Sequence, residues 1–162
     1  HILGLADIAA EFPDVPILLD HGGASGYSKR WVDEALHVAG TYDNVFLECG
    51  LWQAEWIEQA VADPNVGPEK LLFGTDWGAS MPVYWRPGIA PRSFPQQLNK
   101  QGIVRHQVDF WGWAFRQLLK LDLSQDDLNL ILGGNAVRLF RLEDRVPHTR
   151  LFPLVEGPWK EA

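Results

Sequence analysis

The chain has 162 residues, 46% hydrophobic and 22% charged, which fits one globular domain with a sizeable core and excludes wholesale disorder. A formal charge of -7 excludes non-specific binding to nucleic-acid phosphates, which needs clustered Lys and Arg, and no apolar run is long enough to cross a bilayer. One cysteine, Cys49, excludes an intrachain disulfide framework and is compatible with a reducing compartment, so a cytoplasmic protein with neither nucleic-acid nor membrane partners is expected.

The sequence opens at His1 inside an amphipathic pattern, which suggests part of a longer protein. Ile2, Leu5, Ile8, Ala9 and Phe12 recur near helical spacing, and the PDVP at 13–16 ends that helix. The run VPILLD predicts a strand over 15–20, apolar throughout as in parallel sheets buried on both faces. A Gly-rich loop, HGGASGYS, follows. A helix is predicted over 29–40, with Trp31, Ala35 and Val38 on one side and Gly40 as its C-cap. The cycle then repeats with a strand over 44–49, a helix over 53–63 stopped by Pro64, and a strand over 70–76. Residues 79–107 hold Pro82, Pro87, Pro91 and Pro95 with little periodicity and read as a long loop over the carboxyl ends of the strands. A helix over 109–123 comes next, then a capping box at Ser124 and Asp127 opening a short helix. Gly133 and Gly134 are expected to break it and Asn135 to cap a final helix. Residues 1–144 thus form one α/β unit, and 145–162 an irregular tail. Strand and helix alternate as in a parallel α/β protein, and three adjacent parallel strands are expected to belong to a larger sheet or barrel.

In such folds the reactive groups lie at the carboxyl ends of the strands. Here these ends carry Asp20 and His21, then Glu48 and Cys49, then Asp76. Glu48 and Cys49 alternate in facing, so only one points inward, and Cys49 reads as a small core residue. His37, His106 and His148 read as ordinary. Tryptophans 31, 52, 56, 111 and 113 are assigned to helical segments as core or interface. Trp77 and Trp85 are the aromatic candidates for a pocket wall, and Arg86 is placed to grip a carboxylate in bidentate fashion unless it is a solvated loop residue. No G-x-G-x-x-G follows a strand, which counts against a doubly wound nucleotide-binding domain.

The segments FPDVPILLDHGG, NVFLECG, KLLFGTDWG and LILGGNAVRLFRL, in this order and phase, resemble the C-terminal half of the metal-dependent amidohydrolases. More narrowly they are similar to the amidohydrolase-related branch that contains aminocarboxymuconate semialdehyde decarboxylase. The resemblance covers residues 5–78 and 124–142. It implies a (β/α)₈ TIM-type barrel whose sixth, seventh and eighth strands are the three read here. It implies that His21 contacts a metal-bound water or the substrate, and that Asp76 binds or flanks a divalent metal, zinc ahead of manganese, and moves a proton. The family's first-strand His-x-His pair has no counterpart in these residues. Catalytic zinc takes three protein ligands, so the 162 residues by themselves are expected to bind zinc weakly and turn nothing over.

The expected function is therefore metal-dependent hydrolysis or non-oxidative decarboxylation of a small carboxylated, cyclic or aromatic compound. Asp76 and His21 are the catalytic pair, Asp76 the metal ligand, and Trp77, Trp85 and Arg86 the substrate contacts. The missing barrel half, or a companion subunit in a homo- or hetero-oligomer, is the expected partner beside the substrate. The rival is a non-catalytic half-barrel that pairs with a complete or complementary amidohydrolase-like chain.

Overall fold

A computed structural model describes residues 2–23, 28–75 and 110–145. A 3₁₀ turn at Ile2–Gly4 leads into helix α1, Leu5–Glu11. Strand β1 (Ile17–Leu19), helix α2 (Lys29–Thr41), strand β2 (Val45–Glu48), helix α3 (Ala54–Ala62) and strand β3 (Leu71–Leu72) follow. Helix α4 spans Phe110–Leu119 and α5 Gln125–Asn129, and a π-helical turn at Leu130–Gly134 joins α5 to α6, Asn135–Phe140.

The strands pair in parallel, in the order β1-β2-β3, with Leu18 opposite Phe46 and Leu47 opposite Leu71. That is the adjacency expected from the alternating pattern. Among the described residues the sheet advances in one direction. Leu19, Leu47 and Leu71 form a buried row across it, packed with Val32 and Leu36 of α2, Ile57 of α3 and Phe115 and Leu118 of α4. Side chains alternate along a strand, so Leu18 and Phe46 face the other way, and Glu48 shares their side. Leu18 is exposed and Phe46 half-buried. In a closed barrel that second face is the lumen, filled by layers of side chains from all the strands.

The strands are shorter than predicted, for two local reasons. Beyond Leu19 the backbone turns left-handed at His21 (φ 52°) and Gly22 (φ 64°), which ends β1. Beyond Leu72 the Phe73 N–H leaves the ladder and donates to the Ile131 carbonyl at 2.9 Å, so the π turn takes the place of a neighbouring strand. Asn135 is not the N-cap expected of it. Its backbone is already helical, the helix runs through Gly134 in helical geometry, and its side chain is fully buried. The Asn135 amide donates to the carbonyls of Pro68 and Leu71, both at 2.7 Å, and so ties α6 to the start of β3. Ser124 does cap as predicted, accepting from the Asp127 N–H at 3.1 Å.

Two further locks sit at the amino ends of the strands. The Asn44 amide donates to the carbonyls of Ala9, Phe12 and Val15, which fixes the end of α1 beside β2. The Lys70 ammonium donates to Ala39 and Tyr42 carbonyls at the end of α2, where a cation also meets the negative end of the helix dipole. Burial holds the Lys70 pKa below its usual value, partly offset by the Asp43 charge. Some expected core positions are not core. Trp31, Ile8 and Phe12 are all exposed, whereas Trp52, placed just before α3 rather than inside a helix, is fully buried.

Candidate active site

The candidate site forms where the carboxyl ends of β1 and β2 meet the strand-end segment after β3. His21 lies two residues past β1, in a turn whose residues 21–23 all have positive φ. A non-glycine residue pays a penalty on the order of 1 kcal/mol or more for that conformation, so something must hold it there. Two side chains do. The His21 N–H donates to Glu48 Oε2 at 2.9 Å, and the Trp52 indole N–H donates to the His21 carbonyl at 3.1 Å. Gly22 is needed next for two reasons. Its φ is left-handed, and an added Cβ would lie 2.8 and 2.9 Å from atoms of the buried Trp52 ring.

Glu48 closes β2 and points to the lumen side, as its alternation with Phe46 requires. It is 7% exposed, and both of its oxygens are engaged. Oε1 accepts the Gly50 N–H at 2.6 Å, while Oε2 accepts the His21 N–H and lies 2.7 Å from His21 Nδ1. Two glycines wall this carboxylate in. A Cβ on Gly74 would meet Cδ and Cγ of Glu48 at 2.7 and 2.9 Å, and a Cβ on Gly50 would overlap both the Gly74 carbonyl and Glu48 Oε1. The segment after β3 therefore passes directly against Glu48, two residues before Asp76 in the sequence.

Cys49, next to Glu48, is buried with its thiol donating to the Leu72 carbonyl at 3.3 Å, and burial pushes its pKa far up. It is a core residue, as the sequence indicated, and not a nucleophile. Asp20 stands on the other side of the imidazole. Its Oδ2 is 3.5 Å from His21 Nε2, and its side chain is 79% exposed.

Asp20, His21 and Glu48 are thus a compact donor group, each offering an atom within 4.8 Å of the others. Their hydrogen bonds divide the roles. Glu48 has its oxygens committed to N–H donors, which suits it to orienting a histidine rather than ligating an ion. On the other side of the ring, His21 Nε2 lies 3.5 Å from the exposed Asp20 carboxylate, an ion-pair distance. With Glu48 committed to N–H donors, the described residues do not by themselves supply the three protein ligands that a catalytic zinc takes. The other expected site residues, Asp76, Trp77, Trp85 and Arg86, lie outside the described residues, as do the loop at 79–107 and residues 146–162 of the tail. Beside His21 the structure sets Glu48, which the sequence placed at a strand end without giving it a role in the site. The available signal was the phase of VFLE, which puts the carboxylate on the lumen face.

A parallel sheet with helices between its strands and a polar cluster at its carboxyl ends makes this an α/β protein, consistent with part of a barrel. Comparison with known proteins agrees. The family model for amidohydrolases matches residues 1–142, most of the chain and including the Pro-rich segment that the sequence motifs left unmatched, so the chain belongs to the amidohydrolase family. No curated protein sequence matches significantly. Among solved structures, the fold is similar to a Burkholderia multivorans amidohydrolase with bound zinc (TM-score 0.59, 15% identity, 86% of this chain and 49% of that one). It is also similar to amidohydrolase 2 from Bifidobacterium longum subsp. infantis (TM-score 0.53, 16% identity, 87% and 46%). An uncharacterized TIM-barrel protein from Bordetella bronchiseptica matches as well (TM-score 0.51, 23% identity, 87% and 39%). The chain spans about half or less of the length of these structures, and its three strands are part of a barrel of that type. Among the described residues no helix is long and apolar enough to cross a membrane.

Proposed function

We propose that this chain carries the sixth- to eighth-strand side of the active site of a metal-dependent hydrolase. The observation that supports this best is the His21 imidazole, pinned in a left-handed turn at a strand end and backed by the buried Glu48 carboxylate at 2.7 Å. In this reading His21 accepts a proton at Nε2 from water or from a substrate oxygen. Asp76 holds the metal and moves a proton, Trp77 and Trp85 wall the pocket, and Arg86 grips a substrate carboxylate. A divalent ion, zinc ahead of manganese, supplies Lewis acidity toward a substrate oxygen. The substrate class is a small carboxylated compound, cyclic or aromatic, and the partner is the rest of the barrel or a companion subunit. The likeness of the four segments FPDVPILLDHGG, NVFLECG, KLLFGTDWG and LILGGNAVRLFRL to the decarboxylase-containing branch favours a second reading, non-oxidative decarboxylation.

The experiment is an assay of the full-length protein, stripped by chelator and reloaded with zinc or manganese, against carboxylated aromatic acids and cyclic carboxylated amides and esters. Ring opening or amide cleavage supports hydrolysis, and release of carbon dioxide supports the second reading. Asp76→Asn should abolish turnover, and His21→Asn should slow it while sparing most bound metal. Absence of turnover with every metal and compound would overturn both in favour of a non-catalytic half-barrel.

A further inference from the structure

We infer that Glu48 is the positioning residue of this site: it fixes the His21 imidazole as the Nδ1–H tautomer and leaves Nε2 as the unprotonated, basic nitrogen. The inference rests on the functional reading of His21 and adds a residue to it. A carboxylate can only accept, so the 2.7 Å contact requires the proton to sit on Nδ1. Glu48 cannot easily turn away, because Oε1 is tied to the Gly50 N–H and Oε2 to the His21 N–H. Gly50 and Gly74 are its walls, and a side chain on either would collide with the carboxylate. The same carboxylate therefore holds the backbone of His21 and the ring of His21, two constraints on one residue from a single group. Burying a carboxylate costs several kcal/mol unless it is well paired. Here the pairing is spent on the histidine and on the turn that follows its own strand. Among the described residues the other carboxylate facing the ring is Asp20, 3.5 Å from Nε2 and largely exposed, so water competes for it and it is a weaker influence on the proton than Glu48.

The test is made on full-length protein labelled with ¹⁵N-histidine and freed of metal by chelator. Spectra are recorded at about pH 9, well above the ordinary imidazole value of ~6.5, and the ¹⁵N shifts themselves identify the neutral ring. Long-range ¹H–¹⁵N correlations show which ring nitrogen carries hydrogen, and the His21 signals are assigned by their loss in His21→Asn. The wild-type ring is expected to be protonated at Nδ1. In Glu48→Ala the ratio of Nδ1–H to Nε2–H should fall on the order of tenfold or more, the scale of a charge-assisted hydrogen bond. An Nε2–H ring in the wild type overturns the inference without recourse to any variant, as does an unchanged tautomer ratio in a folded Glu48→Ala protein. The two failures are separable. If the hydrolase reading is wrong, the wild type turns nothing over yet keeps its Nδ1–H tautomer. If only this inference is wrong, turnover persists with the proton on Nε2.

Discussion

Replacing Asn135 is the sharpest probe of how α6 holds the site-bearing strand. Its amide is fully buried and donates at 2.7 Å to both Pro68 and Leu71 carbonyls, while its own oxygen accepts from Arg138 at 3.1 Å. In Asn135→Ala both donations vanish. Each such bond contributes about 1 kcal/mol net, and the Leu71 carbonyl, buried in the interior, is then left without this donor at a further cost of about 1–2 kcal/mol. The Pro68 carbonyl is only partly buried, so water can replace its partner. The sum is about 3–4 kcal/mol, a large part of the ~5–15 kcal/mol that holds a typical domain. Asn135→Asp keeps the volume but turns a donor into an acceptor facing two carbonyls, so it should cost at least as much as alanine. Urea unfolding of the full-length protein measures both. Amide exchange at Phe73, whose N–H bonds Ile131 in the adjoining π turn, should also accelerate. Both variants within about 0.5 kcal/mol of wild type, the range of an ordinary surface change, would refute the reasoning.

Gly22→Ala should lower stability by about 2 kcal/mol or more, since it combines a left-handed φ with collision against Trp52; a red shift of tryptophan emission would report the displaced ring. Ser124→Ala should cost about 1 kcal/mol in thermal or urea unfolding through loss of the α5 cap, with little effect on any activity. Cys49 should resist thiol reagents at pH 8 in the native protein, because burial pushes its pKa up, and should react at once in denaturant. Rapid labelling of the folded protein would show the site to be open to solvent.

Much of the fold was legible because it follows from short-range pattern. Continuous apolar runs such as ILL and VFL, each followed by a helical period, carry the parallel order by themselves. What escaped was set by contacts far apart in sequence. The end of β3 depends on the Ile131 carbonyl, and nothing in KLLFGTD signals that Phe73 will bond there. Asn135 after two glycines matches a helix start locally, yet its amide is used by Pro68 and Leu71, more than sixty residues earlier. Trp31 and Trp52, given the same role from the sequence, parted for a similar reason. A helical wheel puts Trp31 beside Ala35, but only the turn at His21 and Gly22 creates a slot for an indole, and that slot takes Trp52.

The site shows the same division. His21 and Glu48 both stand at predicted strand ends, but the family resemblance gave a role to His21 alone of the two, and Glu48 was named there without one. Its distinguishing features are relational. Parity with Phe46 turns it to the lumen, Gly50 two residues on offers it an N–H, and Gly74 twenty-six residues on leaves room for its side chain. Each glycine taken singly reads as a loop or a strand break. Taken together with the 2.7 Å contact to His21, they are the walls of a socket built for one carboxylate. A substitution at 50 or 74 would therefore reach His21 through Glu48, and the glycines after these two strand ends belong to the site as much as the charged residues do.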